Sequence, residues 1–320
     1  MVDSKQQWKA WLYLAPAIIL LLIFTVWPII NTVRMAFING YDYTYLAENT
    51  KDDKILTIGI KNFADVIRNP FFTGALKTTM LLCVLTVPLS TILALLIAVC
   101  LNSIKPLQKL LQTIFFLPYV TNSIAIGMVF AAMFNVIGNI TAGNMYGETI
   151  TSPGIINWLL DCFGIERINW MNSGSTYTAN IAVMVIYIVW NALPFKILIL
   201  LGGLQSINKQ YYDAAKVDST PRRRVFTRIT VPLLSPMLAY VVITGFIGGF
   251  KEYSSIVGVF GDKMGPPDDA HRLDTVVGMI YSSIEKRTFG VASAGALILF
   301  VIILIVTFIN LWVSKKKVHY

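Results

Sequence analysis

Long runs of apolar residues without charges are the feature that most constrains this chain. Hydrophobic residues make up 56% of its 320 residues and charged residues only 13%, whereas soluble domains average about 25% charged residues. Because unpaired backbone groups are costly in hydrocarbon, runs of about 20 apolar residues cross a membrane as helices. Six such spans are predicted, at residues 11–34, 78–101, 110–134, 178–201, 231–256 and 290–313. The sequence therefore predicts an all-α integral membrane protein with a single transmembrane domain over residues 1–320.

Basic residues are concentrated next to alternate ends of these spans. The segments that include both termini and residues 202–230 carry 13 Lys and Arg but three acidic residues, while the longer segments opposite carry 12 basic and 14 acidic residues. Basic residues are retained on the cytoplasmic side, so both termini are expected to be cytoplasmic. The net charge of +9 thus predicts a membrane orientation and no nucleic-acid partner. The first span is expected to be retained, since it is long for a signal peptide and no small-residue cleavage site follows it.

Two short segments outside the spans are expected to be helical. Residues 62–68 have an amphipathic pattern and end at Asn69-Pro70, which is a stop signal. Residues 155–160 form an apolar patch in a segment otherwise rich in turn-forming residues. Both are predicted to lie on the outer membrane surface. The three cysteines have no metal-ligand spacing, so no metal site is predicted.

The cytoplasmic loop at residues 202–230 is the most informative segment. Residues 208–217 favour helix, with Asn208 available as an N-cap. Thr220 is a second potential N-cap, and Pro221 suits the first position of a second helix. The sequence predicts two short helices joined by a tight turn.

The second of these helices has an apolar face surrounded by arginines. Val225, Phe226 and Ile229 fall on one side at helical spacing. The remaining positions hold the basic residues Arg222, Arg223, Arg224 and Arg228. On these observations alone, the loop is either a docking surface or a solvated loop that obeys the positive-inside rule.

The same segment resembles the EAA loop of the permease subunits of ABC importers, whose pattern is Glu-Ala-Ala, two residues, Asp-Gly-Ala, five residues, Phe, two residues, Ile, one residue, Leu-Pro. The matching positions are Asp213, Ala214, Ala215, Asp218, Phe226, Ile229 and Pro232. The spacing is kept throughout. The departures are Asp213 for Glu, Ser219 for Gly, Thr220 for Ala and Val231 for Leu. Loss of the glycine matters most, because glycine reaches left-handed backbone angles that serine adopts only with strain.

The resemblance extends from about residue 60 to the C-terminal end and is to the carbohydrate-uptake, maltose-type branch, favouring the first of its two permease types. It is carried by residues 69–79, Phe116-Leu-Pro-Tyr119, residues 202–207, Gly265-Pro266 and residues 289–294. It implies the type I ABC importer permease fold and a multi-pass location in a bacterial or archaeal cytoplasmic membrane. The implied partners are a second, homologous permease subunit, two ATPase subunits and an extracytoplasmic sugar-binding protein.

The energy source is expected to lie on another subunit. The sequence contains no Gly-x-x-x-x-Gly-Lys-[Ser/Thr] loop that could cradle phosphates. The resemblance implies that ATP and Mg²⁺ bind to the partner ATPase, that this chain binds no cofactor, and that the EAA helices dock in an ATPase cleft. Asp213, Ala214, Ala215, Asp218, Ser219, Phe226, Ile229 and Pro232 are the predicted ATPase-coupling residues.

Lys196 is an anomalous charge within a predicted span, costing about 2.5–3.5 kcal/mol at a helix centre. It is expected to snorkel or to face a pathway. Nearby segments mix aromatic rings with polar groups, a combination that suits sugars. By resemblance to maltose-type permeases, the predicted substrate-pathway residues are Asn191, Ala192, Phe195, Phe250, Lys251 and Ser254. An interfacial aromatic belt with charges at helix ends is the alternative.

Three other classes of membrane protein have different residue requirements. An intramembrane protease would need a histidine near a buried serine, but His271 and His319 are both predicted outside the spans. A proton-coupled carrier would need an acidic residue or histidine deep within a span, and none is predicted there. An EAA-type permease for glycerol phosphate, peptides or amino acids stays open, because Lys196 and Lys251 are compatible with an anionic substrate.

Overall fold

The computed structural model of the chain describes residues 7–41, 57–104, 108–135, 137–140, 150–152 and 154–317. They form two compact units. The smaller unit comprises Met1–Thr73 and Gly278–Val301, and the larger unit comprises Gly74–Val277 and Ile302–Tyr320. The prediction of one transmembrane domain stays a prediction.

Fifteen α-helices make up most of the described residues. The first seven are α1 Gln7–Leu21, α2 Trp27–Phe37, α3 Lys61–Arg68, α4 Pro70–Ser103, α5 Gln108–Val120, α6 Ser123–Phe134 and α7 Ile155–Cys162. The next eight are α8 Tyr177–Ser206, α9 Lys209–Val217, α10 Arg222–Val225, α11 Val231–Leu233, α12 Ser235–Phe250, α13 Ser254–Phe260, α14 Val276–Glu285 and α15 Phe289–Lys317. Segments of π-helix at Leu22–Val26 and Phe226–Thr230 join α1 to α2 and α10 to α11. The predicted all-α class is confirmed, with one small addition: a two-stranded antiparallel hairpin, β1 Ile137–Ile140 and β2 Ile150–Ser152.

Within the described ranges, four helices are long and apolar enough to cross a membrane, at Trp11–Phe37, Pro70–Ser103, Tyr177–Ser206 and Phe289–Lys315. Each contains one of the predicted spans. Two further predicted spans coincide with bent pairs of helices, so the count is six if each pair is one span. The described residues thus provide four to six candidate membrane spans.

In each bent pair the chain changes direction within one predicted span. The predicted span 110–134 turns by 102° between α5 and α6, where the Asn122 side chain accepts a hydrogen bond from the N–H of Ile124 at 2.8 Å and caps α6. The predicted span 231–256 turns by 66° before Ser235 and its helix ends at Phe250, before a separate α13. Local capping and packing, rather than apolar composition, determine these directions.

In the smaller unit, buried Asn62 at the start of α3 fixes the end of α2. Its side-chain amide donates to the carbonyls of Ala36 at 3.0 Å and Ile38 at 2.7 Å. The α-carbon of Gly290 lies against the same amide, since a β-carbon there would be 2.7 Å from Asn62 Nδ2. The predicted helices at residues 62–68 and 155–160 are both present, as α3 and α7.

The larger unit has two apolar clusters at different heights along α8. One contains Met184 and Tyr187 of α8 with Phe130 of α6 and Ile256 of α13. The other contains Ile197, Leu200, Leu201 and Leu204 of α8 with Ala94 and Ala98 of α4 and Val241 of α12. The intervening residues of α8, from 189 to 196, therefore lie between the two clusters.

The segment before α14 is held to the start of α8 by polar contacts of Arg272. Its guanidinium donates to the carbonyl of Ser175 at 2.6 Å and to Asn180 Oδ1 at 3.3 Å, and it pairs with Asp269 at 2.7 Å. The nearby backbone N–H of Gly174 donates to Asp268 at 2.8 Å and lowers the pKa of that exposed carboxyl. These bonds tie the segment before α14 to the start of α8.

Candidate functional site

A cavity of about 280 Å³ opens between α4, α5, α8 and α12 in the larger unit. It lies at the level of α8 that separates the two apolar clusters. Its lining combines apolar, aromatic, hydroxyl, amide and charged groups: Thr86, Val87, Ser90, Tyr119, Ile188, Asn191, Ala192, Phe195, Lys196, Thr244, Gly245, Gly248, Gly249 and Glu252. A mostly apolar pocket with a few convergent polar groups is the usual form of a small-molecule site.

Three of the six predicted pathway residues line this cavity together. They lie on one face of α8, at i, i+1 and i+4: Asn191, Ala192 and Phe195. The ring of Phe195 is stacked on that of Tyr119, with centroids 5.8 Å apart and planes inclined by 19°. These paired rings and the amide of Asn191 place apolar and hydrogen-bonding surfaces side by side.

The other three predicted residues lie outside the lining. Phe250 is buried, with 1% of its surface exposed, while Lys251 and Ser254 are exposed. The cause is the end of α12 at Phe250, because a continuous helix over residues 231–256 would have aligned these residues differently. Their role in the pathway stays a prediction.

Lys196 is buried and faces the cavity. Its ammonium group donates to Ser90 Oγ at 2.7 Å, Thr91 Oγ1 at 2.9 Å and the carbonyl of Val87 at 3.2 Å. All three acceptors belong to α4, so the side chain joins α8 to α4 beside Pro88. These contacts offset the cost of burying the charge. Of the two expected arrangements, the side chain therefore faces the pathway and does not snorkel to the membrane surface.

Glu252 is a charged cavity residue that the sequence analysis did not assign to the pathway. It lies within the predicted span 231–256, yet no acidic group was expected to be deep in the membrane. The structure places it on the cavity wall, between α12 and α13. The sequence analysis excluded a proton-coupled carrier because no acidic residue was predicted deep within a span. The position of Glu252 in the cavity removes that reason. A carboxylate at the end of a glycine-rich apolar run was the signal that could have identified it.

The loop at residues 202–230 forms the predicted pair of short helices, α9 and α10. Asn208 caps α9, since its side chain accepts from the N–H of Gln210 at 3.0 Å. The second helix begins at Arg222 with Pro221 as the N-cap, one residue later than predicted, and Thr220 is not the cap. Val225, Phe226 and Ile229 are half-buried, and the four arginines around them are exposed, as the predicted apolar face requires.

The turn between these helices keeps the backbone conformation of the glycine pattern. Ser219 has a φ of +52°. The N–H of Thr220 donates to the carbonyl of Ala215 at 2.9 Å, and that of Ser219 to the carbonyl of Lys216 at 3.0 Å. This is a Schellman motif, in which a left-handed residue ends the helix. A serine therefore occupies a position that normally favours glycine.

Replacing this serine with glycine is expected to stabilise the subunit. Ser219→Gly removes the steric cost of a side chain in the left-handed region, about 1 kcal/mol, and thermal unfolding of the purified subunit in detergent measures the gain. Ser219→Ala is the matched control, because it removes the hydroxyl but keeps the β-carbon. If the alanine variant gains as much as the glycine variant, backbone strain is not the cause.

An open groove runs along the loop and is lined by four of the eight predicted coupling residues. Ala214, Ala215, Asp218 and Ile229 line it with Asn208, Gln210, Tyr211 and Thr220. Asp213 lies outside the groove and is paired with Lys216 at 2.9 Å, with both side chains largely exposed. Phe226 begins the π-helical segment, and Pro232 lies in α11 beyond it; both are half-buried.

Comparison with known proteins relates this arrangement to transport systems. Residues 68–319 match the family described as binding-protein-dependent transport system inner membrane component. The chain is 28% identical over 306 residues to the arabinooligosaccharides transport system permease protein AraP of Bacillus subtilis, covering 95% of this chain and 88% of AraP. It is 27% identical over 307 residues to the trehalose/maltose transport system permease protein MalF of Thermococcus litoralis, covering 96% of this chain and 94% of MalF.

The fold is also shared with a chain in a solved transporter structure. A bacterial ABC transporter involved in the import of the acidic polysaccharide alginate contains a chain that superposes with a TM-score of 0.75 at 23% identity. The match covers 98% of this chain and 97% of that one. At this identity the likeness concerns the fold alone.

Proposed function

The chain belongs to the family of binding-protein-dependent transport system inner membrane components, and from this premise we propose that it is a permease subunit of an ATP-driven importer for sugars or oligosaccharides. The observation that carries the proposal is that α8 connects the two candidate sites. Asn191 and Phe195 of α8 line the cavity, and α8 ends at Ser206, three residues before the coupling helix α9 begins. Movement of the loop would thus reach the cavity through one continuous helix.

The chemistry of the cavity supports a polyhydroxylated substrate. Sugars present C–H faces that stack on rings, and hydroxyls that need hydrogen-bond partners. Tyr119 and Phe195 supply the rings, and Asn191, Thr86 and Glu252 supply polar atoms. The arabinooligosaccharide and trehalose/maltose permeases, similar over nearly the whole chain, support the same substrate class.

The proposed assembly contains a second, homologous permease subunit, two ATPase subunits and an extracytoplasmic sugar-binding protein. ATP and Mg²⁺ bind to the ATPase, and this chain contributes no ATPase site and no cofactor. The absence of a phosphate-binding loop motif from the sequence supports this division of labour. A related complex in which an alginate transporter holds a pentasaccharide-bound periplasmic protein supports the binding-protein partner.

The proposed topology is six spans with both termini cytoplasmic. The two bent helix pairs would each form one crossing, which adds to the four long helices. The exposed arginines of the coupling loop, Arg222, Arg223, Arg224 and Arg228, then lie on the cytoplasmic side, as the positive-inside rule requires.

Co-purification of the assembly followed by ATPase measurements tests the function. An ATPase is expected to co-purify with the tagged chain. A neutral oligosaccharide delivered by the binding protein is expected to raise the rate of ATP hydrolysis several-fold. Glycerol phosphate, dipeptides and amino acids serve as the comparison panel. Stimulation by one of these, with none by any saccharide, would assign the chain to another solute.

A further inference from the structure

Lys196 lies where three helices of the larger unit meet beside the cavity. Its ammonium group donates to Ser90 Oγ at 2.7 Å, to Thr91 Oγ1 at 2.9 Å and to the carbonyl of Val87 at 3.2 Å, all on α4. Gly245 of α12 lies against the same group, since a β-carbon there would be 3.2 Å from Lys196 Nζ. One side chain of α8 therefore packs against both α4 and α12.

The hydroxyl groups that bond Lys196 already have partners on their own helix. Ser90 Oγ donates to the carbonyl of Thr86, and Thr91 Oγ1 donates to the carbonyl of Val87 at 2.7 Å. Their hydrogens are therefore used, and toward the lysine both oxygens can only accept. Three acceptors match the three N–H donors of an ammonium group, so α8 is joined to α4 by charge-assisted hydrogen bonds.

The dependence between the lysine and α4 is one-sided. Without Lys196, the hydroxyls of Ser90 and Thr91 would keep their bonds to carbonyls of α4. The ammonium, in contrast, is 5% exposed and needs these acceptors, because an uncompensated buried charge is costly. Apolar residues of similar volume often replace buried charges without loss of stability. A charge that the fold does not require points to a role in function.

The helices α4 and α12 pack closely through two glycines. A β-carbon at Gly249 would lie 2.8 Å from Cys83 Sγ, and one at Gly245 would lie 3.0 Å from Val87 Cγ1. Glycines four residues apart on one helix allow such close packing in membranes. α4 and α12 therefore form a packed pair, and both helices contribute to the wall of the cavity.

The helix α8 carries another part of the same wall and continues to the coupling loop. Asn191 and Phe195 line the cavity, and Lys196 follows directly on α8. The bonds of the lysine to α4 therefore join this part of the wall to the α4–α12 pair. Packed and hydrogen-bonded elements move as rigid bodies, so a movement that enters α8 from the loop is passed to α4 and α12.

We propose that Lys196 is a positioning residue that couples the α8 wall of the cavity to the α4–α12 pair, so that both parts of the wall move together during transport. It acts through α4 and does not bond to the transported sugar, because its three donors are taken. The inference rests on the proposed importer function and deepens it.

The number of saccharides imported per ATP hydrolysed tests the proposal. It is measured in proteoliposomes that contain the assembly co-purified with this chain, with its binding protein. The probe is an equimolar mixture of maltotriose, arabinotriose and lactose, quantified by mass spectrometry. Lys196→Met is expected to lower this ratio about tenfold, a typical size for coupling between two sites, while ATP hydrolysis and recovery of the assembly stay near wild type. A purely structural role would lower the recovery instead.

Thr91 separates positioning from contact with the sugar, because it bonds Lys196 but lies outside the lining of the cavity. Thr91→Val keeps the shape of the side chain and removes one acceptor, so the ratio is expected to fall about threefold. Thr91→Ser keeps the hydroxyl and is expected to keep the wild-type ratio. In the Lys196→Met variant, Thr91→Val is expected to have no further effect, because the two residues act as one unit.

Thr78→Val is the matched control, because it makes the same change at another buried threonine of α4, outside the cavity lining. It is expected to transport as wild type does. A wild-type ratio in Lys196→Met, or an additive loss when Thr91→Val is combined with it, overturns the inference and leaves the importer function intact.

Two further outcomes are also decisive. If Lys196→Met is not recovered as an assembly, equal ratios for Thr91→Val and Thr91→Ser overturn the inference. If wild type hydrolyses ATP but imports no saccharide, the sugar importer function fails, and the inference falls with it.

Discussion

Phe226→Ala is expected to abolish transport while the subunit still inserts into the membrane. The ring is half-buried at the start of the π-helical segment, so its loss removes little of the chain's own packing. We propose that it is the apolar anchor that packs into the ATPase cleft. Truncation of such an anchor costs about 2 kcal/mol or more, roughly 30-fold in affinity. Uptake and the amount of co-purified ATPase are both expected to fall at least tenfold.

Phe226→Leu is the matched control, because it keeps an apolar side chain of similar reach. It is expected to restore most of the uptake and of the ATPase association. Membrane abundance measures insertion independently of function. Normal uptake by Phe226→Ala would remove Phe226 from the docking surface, and lost uptake with full ATPase association would limit its role to the motion after docking.

The helices could be predicted from the sequence because unpaired backbone N–H and C=O groups are costly in hydrocarbon. This cost applies whichever neighbouring helices a span packs against. Four predicted spans therefore lie within single helices, and the other two overlap bent pairs. Local signals also succeeded at Asn208, where a short polar side chain caps its own helix. The angles of the bends at Thr121-Asn122 and at Leu234 were not predicted, because an apolar run does not encode which neighbour a helix must pack against.

The cavity was only half predictable for the same reason. Asn191, Ala192 and Phe195 lie on one uninterrupted helix, so a sequence pattern places them together. Glu252 reaches the cavity only because α12 ends and the chain changes direction. Lys196 was recognisable as an unusual charge, but its three oxygen partners lie more than 100 positions earlier in the sequence. Such distant pairings depend on tertiary packing.

The glycine contact between α6 and α13 offers the sharpest test of that packing. Gly127 and Gly258 are both buried, and a β-carbon at Gly127 would lie 2.7 Å from the backbone of Gly258. Because the obstacle is backbone, no side chain can rotate away. Gly127→Val is expected to destabilise the larger unit by about 3 kcal/mol, which would be seen as loss of the monodisperse peak in detergent and a lower unfolding temperature.

Gly202→Ala is the matched control for this substitution. Gly202 also lies inside a helix, but a β-carbon there would meet no atom of another part of the chain within 4 Å, so alanine should stabilise α8 by about 1 kcal/mol through helix propensity. Opposite signs for the two changes would show that close backbone approach, rather than the mere loss of a glycine, holds α6 against α13. A Gly127→Val subunit as stable as wild type would mean that the two helices separate at little cost, and the bend between α5 and α6 would then need another support.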